Sequence, residues 1–354
     1  FSGLAISVTA FSAAIVSPLW GNLADRKGRR LMMIRAAAGM TVTMGSLAFV
    51  PNVYWLLFMR FMTGVLSGYI PNATALIASQ VPKQKSGWAL GTLATGSVAG
   101  NLIGPLIGGM LAQWFGLRNV FIITGSILLI CTVLTVFMVK EDFQPIEKAD
   151  VISMAELRKR INYMPILIGL FISSLILQVG ATSISPILTL YIRDLSGSSG
   201  NALVVSGLIV SVAGVSAIAS SPTLGKIGDR IGNHKVLLAG LILSLICFIP
   251  MAFVKTPFQL GVLRFFLGFS TGALMPSINT LISKISPPEG VSRIFSYNQM
   301  FNNFGQVIGP MLGSTVAHTM GYPAVFLVTS ACVFGNIILS TFNFRKLLTT
   351  KTKI

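Results

Sequence analysis

The sequence predicts an all-α membrane protein, and three observations carry that prediction: few charges, recurrent long apolar runs, and cations gathered on one side of those runs. Of 354 residues, 53% are apolar and 10% are charged, where a soluble domain carries about 25% charged residues. The mean hydropathy is +0.80, so there is too little polar surface to keep a folded body of this size in water. The balance is 26 Lys and Arg against 9 Asp and Glu, a net charge of +17. A soluble enzyme, a disordered tail and a secreted disulfide scaffold are excluded by that composition.

A bilayer core of about 30 Å needs roughly 20 apolar residues per helical span. Eleven such stretches follow one another: about 1–20, 31–50, 53–77, 87–113, 118–139, 164–191, 201–224, 236–254, 257–283, 291–317 and 321–344. Backbone groups in hydrocarbon must be satisfied within the segment, which makes these spans helices. Their many Gly and Pro are tolerated in membrane helices. Cys131, Cys247 and Cys332 lie in three different spans without CxxC spacing. They read as small buried apolar residues, and no metal or cofactor is called for.

The connecting segments alternate in charge. Arg118, Arg193 and Lys255 are the cations of one set; setting these aside with Arg60 and Arg264, deep in spans, leaves 21 of the 26 on the other side. By the positive-inside rule that richer side is cytoplasmic, as is the C-terminus. The basic balance is thus a topology signal; no basic stripe interleaved with aromatics marks a nucleic-acid module.

The chain also repeats itself at a shift of about 204 residues. Gly21-Asn-Leu-Ala-Asp25-Arg26-Lys-Gly28 returns as Gly225-Lys-Ile-Gly-Asp229-Arg230-Ile-Gly232, and Arg60-x3-Gly64-x3-Gly68 as Arg264-x3-Gly268-x3-Gly272. Gly100-x3-Gly104-Pro105-x2-Gly108 returns as Gly305-x3-Gly309-Pro310-x2-Gly313. Two parallel halves are expected: a helical bundle over 1–139, a charged cytoplasmic linker over 140–163, a second bundle over 164–344 and a basic tail over 345–354. The span at 164–191 has its equivalent before residue 1, so one N-terminal helix of a twelve-span protein is expected to be missing. Parallel repeats with a solute site near the midplane describe a transporter.

Gly21-Asn-Leu-Ala-Asp-Arg-Lys-Gly-Arg-Arg30 resembles the signature loop between the second and third helices of the major facilitator superfamily. Gly100-x3-Gly-Pro-x2-Gly-Gly109 resembles the fifth-helix motif of its drug:proton antiporter branch, and Pro71 to Pro82 and Arg293 to Gln299 are similar to bacterial multidrug and quinolone-resistance exporters. The resemblance implies two six-helix bundles related by a pseudo-twofold axis. It also implies export of amphipathic small molecules or drugs from the bacterial inner membrane by alternating access, in exchange for protons, by a monomer. The alternative is a transporter of one anionic metabolite or lipid headgroup with Arg60 as its ligand. A membrane-embedded enzyme would need a convergent nucleophile, base or metal set. His234 and His318, at span ends, do not supply one.

The residues nominate roles. A carboxylate at Asp25 can cap a helix N-terminus and pair with an arginine, locking helix ends together. The resemblance implies a gate latch of Gly21, Asp25, Arg26, Gly28 and Arg29, next to Arg30. Asp229 and Arg230 match it in the second half, with Asn233 and His234 in place of the two arginines. The alternative is that these cations only set topology. Gly100, Gly104 and Gly108 with Gly109, and Gly309 and Gly313, permit close helix approach, while Pro105 and Pro310 each remove a backbone hydrogen bond. Arg60 and Arg264 each lie about 10 Å inside a span at 1.5 Å per residue, candidates for anion binding or proton coupling. None of the nine carboxylates falls within a span, so proton exchange is carried by the resemblance alone. The implied cavity helices place Tyr69, Asn72, Gln178, Ser183 and Asn279 around the substrate. The eleventh helix adds Asn298, Phe301, Asn302 and Gln306, where amides among Met and aromatic surface suit loosely specified ligands. Interhelical amide hydrogen bonding is the competing reading.

Overall fold

The computed structural model describes residues 2–141, 156, 160–161, 163–185, 187–195 and 202–349, so most of the linker and the last residues of the basic tail lie outside the described residues. Helices occupy all eleven expected stretches: α1 (Ser2–Lys27), α2 (Arg29–Ser46), α3 (Val53–Leu66), α4 (Tyr69–Gln80), α5 (Ser86–Phe115) and α6 (Leu117–Met138). There follow α7 (Met164–Ile184), α8 (Leu188–Leu195), α9 (Ala202–Ile231), α10 (Asn233–Met251), α11 (Pro257–Ile285), α12 (Val291–Met320) and α13 (Tyr322–Thr349). No strand occurs among the described residues. Among the described residues, eight of the stretches are long and apolar enough to cross a bilayer by length and composition. The three 30-residue helices α5, α9 and α12 run about 45 Å, so their ends emerge from a hydrocarbon core of about 30 Å.

The repeat is visible in how helices are joined. One glycine of positive φ separates α1 from α2 (Gly28, 93°) and α9 from α10 (Gly232, 104°), and likewise α5 from α6 (Gly116, 80°) and α12 from α13 (Gly321, 84°). A side chain is disfavoured in that region, so each junction turns in one residue only because Cβ is absent.

The chain forms two compact units. The first comprises Phe1–Gln80, Ile103–Asn162 and Ile285–Phe304. Within it α1 packs on α3, and α2 packs on α4 and α6. Its fully buried apolar residues are small: Ala14, Ala24, Ala36 and Ala75. The second comprises Val81–Leu102, Tyr163–Lys284 and Gly305–Ile354. There α13 packs on α7 and α10, and α9 on α8 and α10. Its core is built from large side chains such as Leu237, Leu241, Met251, Leu260, Ile278 and Phe326. In a bilayer these side chains leave lipid and not water, so close packing and interhelical hydrogen bonds hold the helices together.

Candidate functional site

Asp25 ends α1 in the first unit and is 5% exposed. Its carboxylate accepts hydrogen bonds from the Ser292 amide (2.9 Å), the Arg293 amide (3.0 Å) and Arg293 Nε (3.1 Å). Ser292 and Arg293 open α12, so a negative group lies on a helix N-terminus, where the dipole favours it. Arg29 approaches Asp25 at 3.9 Å and donates to Ser292 Oγ (2.8 Å), Ser79 Oγ (2.9 Å) and Pro288 O (3.4 Å). Glu141 takes the first amides of α2, Arg29 at 3.1 Å and Arg30 at 2.7 Å, and Arg30 Nη2 donates to Val136 O. Gly21 is required here, since a Cβ would collide with Ser296 and the Ser292 carbonyl. Burial pushes the Asp25 carboxyl above its ordinary range, against the pull of the Ser292 and Arg293 hydrogen bonds and the Arg29 charge.

Asp229 repeats part of this arrangement in the second unit. Its two carboxylate oxygens accept from the Gly87 and Trp88 amides, each at 3.0 Å, at the start of α5. Gly87 and Gly225 touch backbone to backbone, with no room for a Cβ on either. The position of Arg293 is taken by Trp88, so among the described residues Asp229 receives no arginine side chain. Asn233, at the place of Arg29, is 1% exposed with no hydrogen-bond partner for its amide, and His234 lies against the Phe344 ring at 6.0 Å. Arg230 is exposed, and Arg26 is partly exposed with its Nε unpartnered.

The glycine–proline runs differ in their surroundings. In the second unit Gly305, Gly309 and Gly313 press on α7: a Cβ on Gly309 would collide with Thr182 Oγ1 and stand 2.9 Å from Val179 O, and one on Gly313 would meet the Ser183 backbone. Beside Gly100, Gly104 and Gly108 a Cβ would meet open space. Close approach, expected of both runs, holds for the second. Pro105, Gly109 and Pro310 lie within continuous helices.

The intramembrane arginines sit on matched scaffolds. Beside Arg60, Thr9 Oγ1 donates to the Arg60 carbonyl (3.0 Å) and Ser12 Oγ to that of Phe61 (3.0 Å); beside Arg264, Ser216 Oγ donates to the Phe265 carbonyl (2.8 Å). Gly64 and Gly268 let those serines in. The Nε atoms of Arg60 and Arg264 are buried without a partner, and no carboxylate pairs with either among the described residues.

Sequence reasoning missed a third such residue. Arg35, counted with the cytoplasmic cations, lies inside α2, its Cζ 3.5 Å from the centroid of the Trp20 ring. It serves a break that was also missed: the span expected over 53–77 is interrupted at Ser67 and Gly68, where Gly68 has a φ of 120°. Four carbonyls there are claimed by side chains: Gly64 by Ser67 Oγ (2.6 Å), Val65 by Trp20 Nε1 (2.7 Å), Ser67 by Arg35 Nη2 (2.8 Å) and Gly68 by Asn72 Nδ2 (2.7 Å). Unwound backbone at membrane depth persists only when it is satisfied in this way. The signal in the sequence was a charge six residues past the loop end at Arg29.

The expected cavity residues are divided between the units. Tyr69 bonds Thr135 (3.0 Å) and Asn72 the break, both within the first unit. Asn298, Phe301 and Asn302 also belong to the first unit, and Gln178, Asn279 and Gln306 to the second. Asn298 is buried and Asn302 half-buried, one turn apart on α12. Asn302 Oδ1 has no partner.

Spanning helices in a parallel repeat, loop carboxylates on helix N-termini and arginines inside the bilayer define a multi-pass membrane transporter. The Major Facilitator Superfamily profile matches residues 1–206 and 170–352, and the chain belongs to that family. It is 53% identical over 98% of its length, and 86% of the relative's, to the multi-drug resistance efflux pump PmrA homolog of Lactococcus lactis. It is 52% identical to the PmrA pump of Streptococcus pneumoniae over 99% of this chain and 88% of the relative. With the multidrug resistance protein MdtG of Klebsiella pneumoniae the figures are 49% identity, 98% and 84%. The fold is shared with the Escherichia coli fucose:proton symporter FucP, TM-score 0.78 at 15% identity over 97% of this chain and 91% of that one. It is shared too with the human organic anion transporter TETRAN, TM-score 0.75 at 16% identity over 96% and 83%.

Proposed function

We propose that the chain exports amphipathic small molecules, drugs among them, across the bacterial plasma membrane by alternating access, in exchange for protons and as a monomer with a cytoplasmic C-terminus. The single observation carrying this reading is the Asp25 site. A buried carboxylate holds two helix amides and two arginines, a contact strong enough to lock helix ends and reversible on one rigid-body motion. In this reading 1–139 and 164–344 are the moving halves and Asp25 and Asp229 their latches, while Gly309-Pro310-x2-Gly313, pressed on α7, braces the second half. Arg60 and Arg264 bias proton or anion passage, and Asn298, Phe301, Asn302 and Gln306, with Gln178 and Asn279, contact the substrate. The names of the relatives near half identity support drugs as substrates.

The test is efflux of drugs and unrelated dyes from cells, and uptake into everted vesicles, before and after the proton gradient is collapsed. Uptake that vanishes on collapse is the expected result. Persistence after collapse overturns proton exchange. Competition by a single anionic metabolite, with no effect of dyes, overturns the drug-export reading.

A further inference from the structure

The second unit contains a cavity of about 540 Å³ that the latch leaves open, lined by Gln84, Lys85, Trp88, Lys226, Asp229 and Arg230. It lies where the turn entering α5 meets the end of α9. Lys226, Asp229 and Arg230 stand at i, i+3 and i+4, on one helix face. Three cations face this space with one carboxylate, and both oxygens of that carboxylate are occupied by the Gly87 and Trp88 amides. Lys85, Lys226 and Arg230 are exposed and pair with no carboxylate among the described residues. Like charges at i and i+4 repel, so an anion seated among them relieves a standing cost.

The apolar neighbours say what kind of anion. The Trp88 indole is half-exposed, and Ile227 and Ile231 beside the cations are exposed as well. These helix ends emerge from the hydrocarbon core, at the depth where tryptophan marks the membrane interface. A free phosphate ion would satisfy the cations and leave that apolar surface in water.

We propose that this cavity binds the headgroup of an anionic phospholipid from the leaflet bordering these loops. Lys85, Lys226 and Arg230 hold the phosphodiester, and Trp88 covers the glycerol end of the acyl chains. Arginine presents paired donors to phosphate oxygens, and the two lysines add point charges.

The probe is phosphatidylglycerol titrated into the purified transporter in phosphatidylcholine nanodiscs, with retained lipid counted by native mass spectrometry; the readout is lipid occupancy, which does not depend on the transport reading. One tightly held phosphatidylglycerol is expected. The triple variant Lys85→Gln, Lys226→Gln, Arg230→Gln should weaken it roughly a hundredfold, from about a fivefold effect per cation near an anionic surface. The variant Lys27→Gln, Lys140→Gln, Lys235→Gln removes equal charge from exposed positions outside the cavity, and should leave it in place. Equal retention of phosphatidylcholine, or equal loss in both triple variants, overturns the site. Displacement by inorganic phosphate or glycerol phosphate at concentrations matching the lipid overturns the lipid as occupant.

Discussion

Asp25 and Asp229 stand 204 residues apart in equivalent turns, and each accepts the first amides of a long helix at 2.9–3.0 Å. Beyond those amides the two sites part. Asp25 adds Arg293 Nε and a flanking Arg29, whereas Trp88 and Asn233 occupy the matching places beside Asp229. The same division recurs in the spans that hold Arg60 and Arg264. The first is broken at Ser67 and Gly68, but α11 runs unbroken through the equivalent Gly272. Three of the four side chains that cap the break, Trp20, Arg35 and Asn72, are Leu224, Ala239 and Pro276 in the second repeat, and only the fourth, Ser67, keeps a hydroxyl there as Thr271. A break exists where donors exist to satisfy its carbonyls, and is absent where they are not.

Removing the Asp25 carboxylate tests the comparison hardest. Asp25→Asn should abolish transport and remove the carboxylate that pairs with Arg293, 4% exposed, a loss of about 3–5 kcal/mol. Asp229→Asn, with no buried arginine to strand, should cost about 1–3 kcal/mol and leave partial efflux. Everted-vesicle transport at matched protein abundance reads both. Full transport by Asp25→Asn would sink the latch reading.

A smaller effect separates the glycine runs. Gly309→Ala should lower the melting temperature through overpacking of about 1–3 kcal/mol, because Thr182 and the Val179 carbonyl leave no space. Gly104→Ala should be neutral or stabilising by up to about 1 kcal/mol. Equal melting temperatures would remove the asymmetry between the runs.

Arg35→Leu tests the capped break. It leaves the Ser67 carbonyl without its donor, at about 1–2 kcal/mol, and removes the stacking on Trp20. Amide exchange over 67–72 should accelerate while exchange at the equivalent segment of α11 stays unchanged; unaltered exchange in both would show that the break does not need Arg35.

The smallest expected effect is a pH dependence. With its folded pKa raised by burial, Asp25 binds a proton more tightly in the native state than in the unfolded one. Its contribution to stability therefore grows as pH falls through the raised pKa and is lost as pH rises. The Asp25 carboxyl band, isolated as the infrared difference between the wild type and Asp25→Asn, should titrate at higher pH than an exposed aspartate; titration at or below the exposed value would contradict the burial argument.

Much of this was legible in the chain. The Gly28 and Gly232 turns, the match between Asp25 and Asp229 and the depth of Arg60 and Arg264 all follow from one repeat offset. The broken span was not legible, because Arg60-x3-Gly64-x3-Gly68 and Arg264-x3-Gly268-x3-Gly272 read alike while only one of them breaks. Arg35 was misplaced because a cation near a span end looks like a loop cation until its guanidinium is seen on Trp20.

By itself the sequence determined the spanning helices, the doubled architecture and the places where single glycines turn the chain, since run length, apolar content and positive φ are local properties. Only the tertiary structure decided which carboxylate gains an arginine, which glycines are pressed and which carbonyls are capped. Those outcomes depend on donors far away along the chain, 268 residues in the case of Asp25 and Arg293, and no local rule specifies where such partners land.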